Sequence, residues 1–339
     1  MGRRRAALLS ETPGVEVVVG SRSATQADFP ATIQVAAPDD ALAAGVDAVV
    51  VSVVTSLHAE VVRAALALAV PIFVEKPLTL DVSEGVSLAR LGEERGVAIQ
   101  VGFHRRSDPA YREAAARVAD GRLGRLYHLH SVAHDHELPP ETFLEASGGI
   151  FRDLLVHDID AARFLTGREV VEVYAVANNR AHPMFPEHGD VDTATLLLTM
   201  DDGLVVSASG CRHDPVGYDA RTEIFGERDS LTIGLGERTP LRAVQASGEG
   251  GSAWSAGVLE PAGETSLHGP ANPYAGFLDR FSTAFAAETS RFVELVAGTG
   301  ENPCPPKDAL AALVVAEAAE RSCAAGRPVP VPAEGEWYR

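Results

Sequence analysis

Asp153 and His157 stand four residues apart, and Asp160 follows three residues later, in a stretch otherwise rich in Ile, Phe and Leu. Residues three and four apart share one face of an α-helix, so the spacing predicts a polar face on a helix over residues 149–165, with Gly167 as its end. An imidazole flanked by carboxylates can act as a general base near neutral pH. An exposed helix face with an ordinary ion pair fits the same spacing, and spacing alone does not separate the two interpretations.

Glu75, Lys76 and Pro77 directly follow the apolar run PIFV of residues 71–74. They therefore lie at the carboxyl end of a predicted strand, the edge at which open α/β sheets bind ligands. Pro77 fixes φ and removes a backbone donor, so it ends the strand and holds Lys76 in place. The lysine can hydrogen-bond a substrate oxygen or polarise a developing carbonyl. The alternative is a solvated surface charge.

Ser21 and Arg22 follow the run VEVVVG of residues 15–20. A dinucleotide-binding fold usually carries an acidic residue there for the adenosine ribose. An arginine can bind a 2′-phosphate instead, which favours NADP over NAD. An exposed turn residue is the other interpretation.

Four histidines lie within nine residues: His128, His130, His134 and His136. His-x-His on a strand places both rings on one side, which can suit a metal ion. No cysteine lies near, and the carboxylate spacing matches no compact binding motif. We therefore expect packing imidazoles and no metal site.

The elements that must position these residues begin with alternating βα units. Continuous runs rich in Val and Ile predict strands buried in a parallel sheet, at residues 15–20, 47–54, 71–74 and 98–103. Apolar positions at helical spacing predict helices over residues 58–69 and 81–95, with Gly96 as a helix stop. This pattern is typical of a doubly wound α/β domain, which we place at residues 1–104.

The pattern changes after residue 120. Strands are predicted at residues 126–133, 170–178, 193–200, 204–209, 222–225 and 230–235. Turn residues at 201–203 and 226–229 predict antiparallel hairpins. We therefore expect residues 105–339 to form an α+β domain on a mostly antiparallel sheet. Residues 245–272, rich in Gly, Ser and Ala, predict a loop, and residues 273–297 and 306–325 predict two closing helices that pack back toward the first domain.

Composition excludes several classes of protein. The 29 basic and 47 acidic residues give 29 − 47 = −18, which opposes sequence-independent binding to nucleic acid or anionic lipid. The apolar runs fall well short of the roughly 18–20 residues that cross a bilayer. Three separated cysteines and an opening segment with only a short apolar stretch indicate a cytoplasmic protein without disulfides.

Four segments occur in a fixed order: VDAVVVSVVTSLHAEVVRAAL, PIFVEKPL, GVAIQVGFHRRSDPAYREA and SGGIFRDLLVHDIDAARFLTG. Together they resemble the Gfo/Idh/MocA family of NAD(P)-dependent oxidoreductases, particularly its inositol 2-dehydrogenase-like members. The likeness extends to the closing PPKDALAALVVAEAAERSCAAGRPVPV. Glu-Lys-Pro followed some 75 residues later by Asp-x-x-x-His is specific to the family in this context.

The resemblance implies hydride transfer between a polyol or sugar carbon and the nicotinamide. Lys76, Asp153 and His157 match the catalytic trio. His157 would take the hydroxyl proton, Asp153 would orient that histidine, and Lys76 would bind the reacting oxygen. The substrate pocket would be lined by Arg106, His134 and Asp135, with His134 standing where an arginine is common. The cofactor would lie beside Gly2, Ser21, Arg22, Thr55, His58, Glu75, Lys76 and Pro77.

The chain departs from the family at its start. A strand and a GxGxxG turn normally cradle the pyrophosphate, whereas here Gly2 stands at the third glycine, directly before the helical RRRAALLSE. We therefore expect a Rossmann sheet without its first strand and glycine loop, with about ten further residues upstream. Val54 replaces a frequent proline, which affects the local turn.

The leading hypothesis is an NAD- or NADP-dependent dehydrogenase of a cyclic polyol or sugar. Family members that act on activated deoxysugars or glycosides, and a non-catalytic dinucleotide-binding sensor or regulator, are the alternatives, because fold alone does not fix function. A homodimer or homotetramer through the open sheet of the second domain is also expected.

Overall fold

Five short parallel strands form the first part of the computed structural model, which describes residues 1–246 and 265–338. They are β1 (Val17–Gly20), β2 (Ile33–Ala36), β3 (Val49–Val51), β4 (Ile72–Glu75) and β5 (Ile99–Gly102). β1 pairs with β2 in one sheet, and β3, β4 and β5 pair in that order in another. Every residue of β4 and β5 is buried, which explains their continuous apolar sequence.

One helix precedes β1, and the others connect the strands from β2 onward in the βα order that the sequence predicts. They are α1 (Gly2–Ser10), α2 (Pro38–Leu42), α3 (His58–Leu66) and α4 (Val82–Arg95). Asp81 caps α4 by accepting a hydrogen bond from the Glu84 amide, and Gly96 ends that helix in the left-handed region. The Gly96 stop and the Rossmann-like fold are confirmed. The sequence missed β2 and α2, since both are short and partly exposed.

A seven-stranded sheet forms the second part. Its strands are β6 (Leu126–His134), β7 (Val170–Asn178), β8 (Thr193–Met200), β9 (Val205–Cys211), β10 (Asp219–Gly226), β11 (Ser230–Ile233) and β14 (Val329–Pro330). The order is β11-β10-β6-β9-β8-β7-β14, and only β6 and β9 pair in parallel within it. Two further strands, β12 (Ala243–Ala246) and β13 (Thr265–His268), form a separate antiparallel pair. The mostly antiparallel sheet and both predicted hairpins are confirmed.

Burial alternates along the strands of this sheet, so one face is covered and the other is open. Helices cover the inner face. The helices of this part are α5 (Pro109–Ala119), α6 (Glu141–Ser147), α7 (Val156–Thr166), α8 (Met184–Glu187), α9 (Phe277–Arg280), α10 (Ser282–Val296), α11 (Pro306–Ala325) and α12 (Glu334–Trp337). α11 packs against both α7 and β7, and also against α4 of the first part.

The helix predicted over 149–165 is confirmed: residues 149–150 are helical, Phe151–Leu155 form a π-helical turn, and α7 follows and ends at Gly167 as predicted. Two other predicted elements need correction. The helix expected over 273–297 is divided at Phe281 into α9 and α10. The loop expected over 245–272 is wrong at its two ends, because β12 and β13 pair there through backbone hydrogen bonds; residues 247–264 lie outside the described residues.

Hydrogen bonds join the segment between α10 and α11 to β5. The Val101 amide donates to the Cys304 carbonyl over 2.9 Å, and the Asn302 side chain donates to the Ile99 carbonyl over 2.7 Å. Within residues 1–246 and 265–338, no helix has the length and apolar character that a bilayer crossing requires. The three cysteines are free.

Candidate active site

Lys76 lies at the carboxyl end of β4, as predicted. Its Nζ donates to the Asp153 carbonyl oxygen over 2.5 Å and to Asp153 Oδ1 over 2.8 Å. The π-helical turn at Phe151–Leu155 therefore presents both a backbone and a side-chain acceptor to one ammonium. The side chain of Lys76 keeps 18% of its surface exposed, so a ligand can still reach it.

Asp153 is held by two cations. Its second oxygen, Oδ2, accepts a hydrogen bond from Arg212 Nη1 over 2.8 Å. Burial alone would raise the pKa of Asp153, but the charges and hydrogen bonds of Lys76 and Arg212 outweigh it and lower that pKa to about 2. The carboxylate is therefore ionised at neutral pH.

His157 lies one turn further along, with its ring against two aromatic neighbours. The ring centroid is 5.0 Å from that of His104 and 5.7 Å from that of Phe103, both in edge-on geometry. Burial lowers the pKa of His157 well below its usual value, and the positive charge of Lys76 lowers it further. The imidazole is therefore neutral near pH 7 and able to accept a proton.

Asp153 and His157 are not joined by a hydrogen bond in the described part of the chain. Both oxygens of Asp153 are engaged by Lys76 and Arg212, while His157 Nδ1 is buried and has no partner among the described residues. The geometry thus connects the carboxylate to the lysine and not to the imidazole.

Asp135 belongs to the same cluster, and the parallel pairing of β6 with β9 explains its position. His134 is paired with Cys211 in this register, so Asp135 and Arg212 leave adjacent strands side by side. Asp135 Oδ2 lies 3.4 Å from Arg212 Nη1. Burial raises the pKa of Asp135, although the charge of Arg212 lowers it.

His134 faces a different set of groups. Its Nε2 lies 3.3 Å from Ser209 Oγ, and its Nδ1 lies 3.8 Å from Asp214 Oδ2. Burial lowers the pKa of His134. The structure thus brings Asp135 to the Lys76 and Asp153 cluster but gives His134 other partners.

Arg106 is enclosed between helices. Its guanidinium donates to both oxygens of Asp160, over 2.8 to 3.1 Å, and to Asp308 Oδ2 over 2.7 Å. Asp160 is therefore directed into the core, and its predicted place on one polar face with Asp153 and His157 is wrong. The pair with Arg106 accounts for this, because a buried carboxylate needs a partner.

The residues predicted to bind the cofactor lie near the carboxyl ends of β1, β3 and β4. α1 begins at Gly2, where an added Cβ would meet Ser52 at 3.7 Å, so its first turn lies beside the end of β3. Ser21 Oγ accepts the Ala24 amide over 2.9 Å. Arg22 is exposed and has no side-chain partner within the described ranges.

Other predicted cofactor residues make protein contacts. His58 is buried, with Nδ1 2.8 Å from the Pro77 carbonyl and Nε2 3.2 Å from the Val53 carbonyl. Glu75 Oε1 accepts from Arg5 Nε over 2.8 Å. Thr55, partly buried, begins a short 3-10 turn before α3. Thus His58, Glu75 and Pro77 shape the edge, while Thr55 stays partly open.

This edge fits a dinucleotide. The first turn of α1 has no side-chain cap, so its free amides suit a phosphate, and the unpaired guanidinium of Arg22 suits the adenosine end. The unpartnered nitrogen of His157 marks the opposite end, where the Lys76 and Asp153 cluster lies. The residues present at both ends therefore match what such a cofactor requires.

The clustered histidines make hydrogen bonds within the protein. His128 and His130 both contact Ser207 Oγ, at 3.1 and 2.9 Å, and His136 contacts the Asp214 carbonyl at 2.8 Å. Among the described residues, no group of three or more His, Cys, Asp or Glu side chains could hold a metal ion.

Sequence reasoning missed two residues of the site. Arg212 follows the predicted strand 204–209 by three residues, and no motif marks it, because its position depends on the register of β9 against β6. His104 lies in the segment GFHRR, two residues before Arg106, and this closeness to a predicted site residue was the available signal. Burial lowers the pKa of His104 well below its usual value, so it is a second neutral imidazole beside His157.

A Rossmann-like domain beside an antiparallel α+β domain, with a Lys-Asp-His cluster at the sheet edge, defines a two-domain dinucleotide-binding oxidoreductase. The model of the oxidoreductase family with an NAD-binding Rossmann fold matches residues 1–103, and that of the GFO/IDH/MocA C-terminal domain matches residues 111–232. The chain belongs to the Gfo/Idh/MocA family.

Named relatives are similar over most of their length. A myo-inositol dehydrogenase of Streptomyces leeuwenhoekii is 38% identical over 292 residues, covering 86% of this chain and 82% of that protein. The scyllo-inositol 2-dehydrogenase (NAD(+)) of Bacillus subtilis is 34% identical over 286 residues, covering 84% and 78%. The crystal structure of a myo-inositol dehydrogenase from Corynebacterium glutamicum superposes with a TM-score of 0.81 at 28% identity, covering 98% of this chain and 96% of that one.

Proposed function

We propose that this protein oxidises a neutral cyclic polyol of the inositol kind, with NAD as the hydride acceptor. The observation that carries the proposal is the Lys76 ammonium fixed on Asp153, beside the neutral imidazole of His157, at the carboxyl end of β4. The names of the relatives in Streptomyces and Bacillus support inositol as the substrate class, and the Bacillus name supports NAD.

Each residue of the cluster has a distinct role in this proposal. His157 accepts the proton of the substrate hydroxyl as the carbonyl forms. Lys76 donates a hydrogen bond to the same oxygen and stabilises the negative charge that develops there. Asp153 holds Lys76 in position, since its carboxylate bonds the lysine directly. Asp135, with 24% of its side chain exposed, accepts a hydrogen bond from a further hydroxyl.

The cofactor would be held by the first turn of α1 and by Ser21, Arg22 and Thr55. When bound, the nicotinamide supplies the carbon that accepts the hydride. The charges of the cluster balance, with Lys76 and Arg212 opposed by Asp153 and Asp135. A balanced site favours a neutral polyol over a sugar acid or phosphate, because an unpaired buried charge on the substrate would be costly.

Reduction of NAD, followed by absorbance with myo-inositol, scyllo-inositol and acyclic polyols, tests the proposal. Turnover with a cyclic polyol that falls sharply in Asp153→Asn is the expected result. If the protein binds NAD but turns over no polyol, sugar, activated deoxysugar or glycoside, a non-catalytic dinucleotide-binding sensor or regulator is favoured instead. Turnover confined to a deoxysugar or glycoside would replace the substrate class and keep the site.

We also propose that a second copy of the chain covers the open face of the seven-stranded sheet. Large apolar side chains on several neighbouring strands are exposed there: Tyr127, Val176, Leu197, Val205 and Phe225. These apolar side chains alternate on the open face with polar ones such as His128, Ser207 and Thr195, a mixed composition that is common at interfaces between subunits. Light scattering should give a dimer or tetramer, and a monomer at micromolar concentration would contradict the proposal.

A further inference from the structure

Arg212 lies directly behind the cluster that the proposed function uses. It follows β9, its amide donates to the Asp192 carbonyl over 2.8 Å, and its side chain is only 2% exposed. Full burial of an arginine is unusual unless the charge is paired. Its pairing is with the site itself, since Nη1 contacts Asp153 at 2.8 Å and Asp135 at 3.4 Å.

The side chain of Arg212 is less exposed than those of the residues around it. The side chains of Lys76, Asp153 and Asp135 keep 18%, 15% and 24% of their surface exposed. Arg212 Nε and Nη2 are buried without a partner among the described residues. A ligand in the cleft can thus reach the lysine and both carboxylates, while the guanidinium lies beneath them.

We infer that Arg212 is a positioning residue that fixes the Asp153 carboxylate and, through it, the ammonium of Lys76. The inference rests on the proposed function. Lys76 occupies Oδ1 and Arg212 occupies Oδ2, so the carboxylate is clamped from both sides. Charge-assisted hydrogen bonds of this kind are short and directional, which restrains the carboxylate plane.

Removal of Arg212 frees one side of that clamp. Asp153 can then rotate, and Lys76 loses its fixed direction toward the reacting oxygen. Small displacements of a catalytic group lower turnover more than they lower binding, because the hydrogen bond counts most in the transition state. We therefore expect the loss to fall on kcat, with the affinity for NAD unchanged.

A double-mutant cycle between Arg212 and Asp153 tests the inference. In the wild-type background, Arg212→Gln should lower kcat by roughly 10- to 100-fold, and in an Asp153→Asn background by less than about 3-fold. Arg212→Lys should recover part of the loss, because an ammonium can bond one carboxylate oxygen. This second variant also keeps the positive charge, so it guards against failure of Arg212→Gln to fold.

Arg163→Gln is the matched control. Arg163 is similarly buried, with a 6% exposed side chain paired to Glu169, and it lies outside the cluster. It should change the unfolding temperature and leave kcat unchanged.

The outcomes of the cycle are distinguishable. Suppose that Arg212→Gln lowers kcat by the same factor in the Asp153→Asn background as in the wild type. Arg212 then does not act through Asp153, and the inference is overturned while the proposed function stands. If Asp153→Asn itself keeps full turnover, Asp153 does not position Lys76 and the inference is overturned, while polyol oxidation stands. If the wild-type protein turns over no cyclic polyol, the proposed function fails. The acid limb of kcat/KM gives a further check: it should move to higher pH in Arg212→Gln, since Asp153 loses one of the two cations that lower its pKa.

Discussion

Aspartates of one helical segment, between Phe151 and Thr166, form two kinds of ion pair. In the π-helical turn, Asp153 binds Lys76 and Arg212 at the edge of the cleft, with its side chain 15% exposed. Further along, Asp158 binds Arg105 and Asp160 binds Arg106, with both carboxylates at most 1% exposed. Aspartate and basic partners occur in both regions, yet only the first can be reached by a ligand.

The difference between these regions lies in what the pairs enclose. The Arg105 and Arg106 pairs are sealed by α5, α7 and α11 and connect parts of the core, so removal of one partner leaves a buried charge. The Asp153 cluster borders the imidazole of His157, whose Nδ1 has no partner among the described residues. Unpartnered buried atoms also occur in the enclosed pairs, at Arg105 Nε and Asp158 Oδ2, so exposure of the ion pair is what distinguishes the two regions.

His157→Asn gives the largest expected effect on the open region. Removal of a general base typically lowers turnover by about 10²- to 10⁴-fold. Because the ring also packs against Phe103 and His104, we expect a lower unfolding temperature together with that loss in kcat per folded molecule, at unchanged NAD affinity.

His188→Asn is the control for this prediction, because His188 ends α8 and no hydrogen bond or ion pair among the described residues joins its side chain to the cluster. Turnover of His157→Asn within a factor of about three of the wild type would remove the imidazole from the reaction.

Asp160→Asn tests the sealed region. The substitution leaves the buried guanidinium of Arg106 without its main partner, so we expect a loss of about 3–5 kcal/mol in the free energy of unfolding. Chemical denaturation measures it. Turnover per folded molecule should stay unchanged, and a selective loss of kcat in a stable variant would show that the two regions are not separate.

Local patterns in the sequence predict most of the elements and part of the candidate site. The βα order, the hairpins, the position of Lys76 after a buried strand and the spacing of Asp153 and His157 all follow from local patterns. Each depends on periodicity or on a turn residue near in the chain, which is where sequence reasoning is strong.

The remaining features depend on contacts between distant segments. Arg212 lies beside Asp135 because β9 pairs in parallel with β6, and it meets Asp153 because β9 also packs against the π-helical turn. Arg106 and Asp160 have the residue types of a binding site, and only their burial assigns them to the core. Register and burial are properties of the assembled fold, so no local motif reveals them.

A third cluster lies inside the core, where Arg5 binds both Glu75 and Glu288, and Glu288→Gln tests it. Burial raises the pKa of Glu288 to about 7 from the usual 4.5, although Arg5 lowers it. A carboxyl with a raised pKa binds its proton more tightly in the folded state. Its contribution to stability is therefore complete below pH 4.5 and is lost as the pH rises to about 7.

Urea denaturation from pH 4.5 to 8 measures this effect. The difference in unfolding free energy between the wild type and Glu288→Gln should shift by about 2–3 kcal/mol across that range. Glu294→Gln, on the exposed face of the same helix, should show no such shift. A pH-independent difference for Glu288→Gln would mean that the cluster keeps both carboxylates ionised.

Arg22→Gln is the smallest expected change and concerns the most open arginine of the comparison. Arg22 is exposed at the end of β1 and has no partner in the described part of the chain, in contrast to the sealed Arg105 and Arg106. If it binds a 2′-phosphate, as its residue type predicts, the variant should bind NADP about tenfold more weakly and NAD equally well. Calorimetry with both cofactors measures this, with the exposed Arg122→Gln as control. If the affinities for NAD and NADP fall equally, Arg22 contacts a part that both cofactors share. If neither affinity changes, Arg22 is a surface residue, and the exposure of a charged side chain alone does not indicate a ligand.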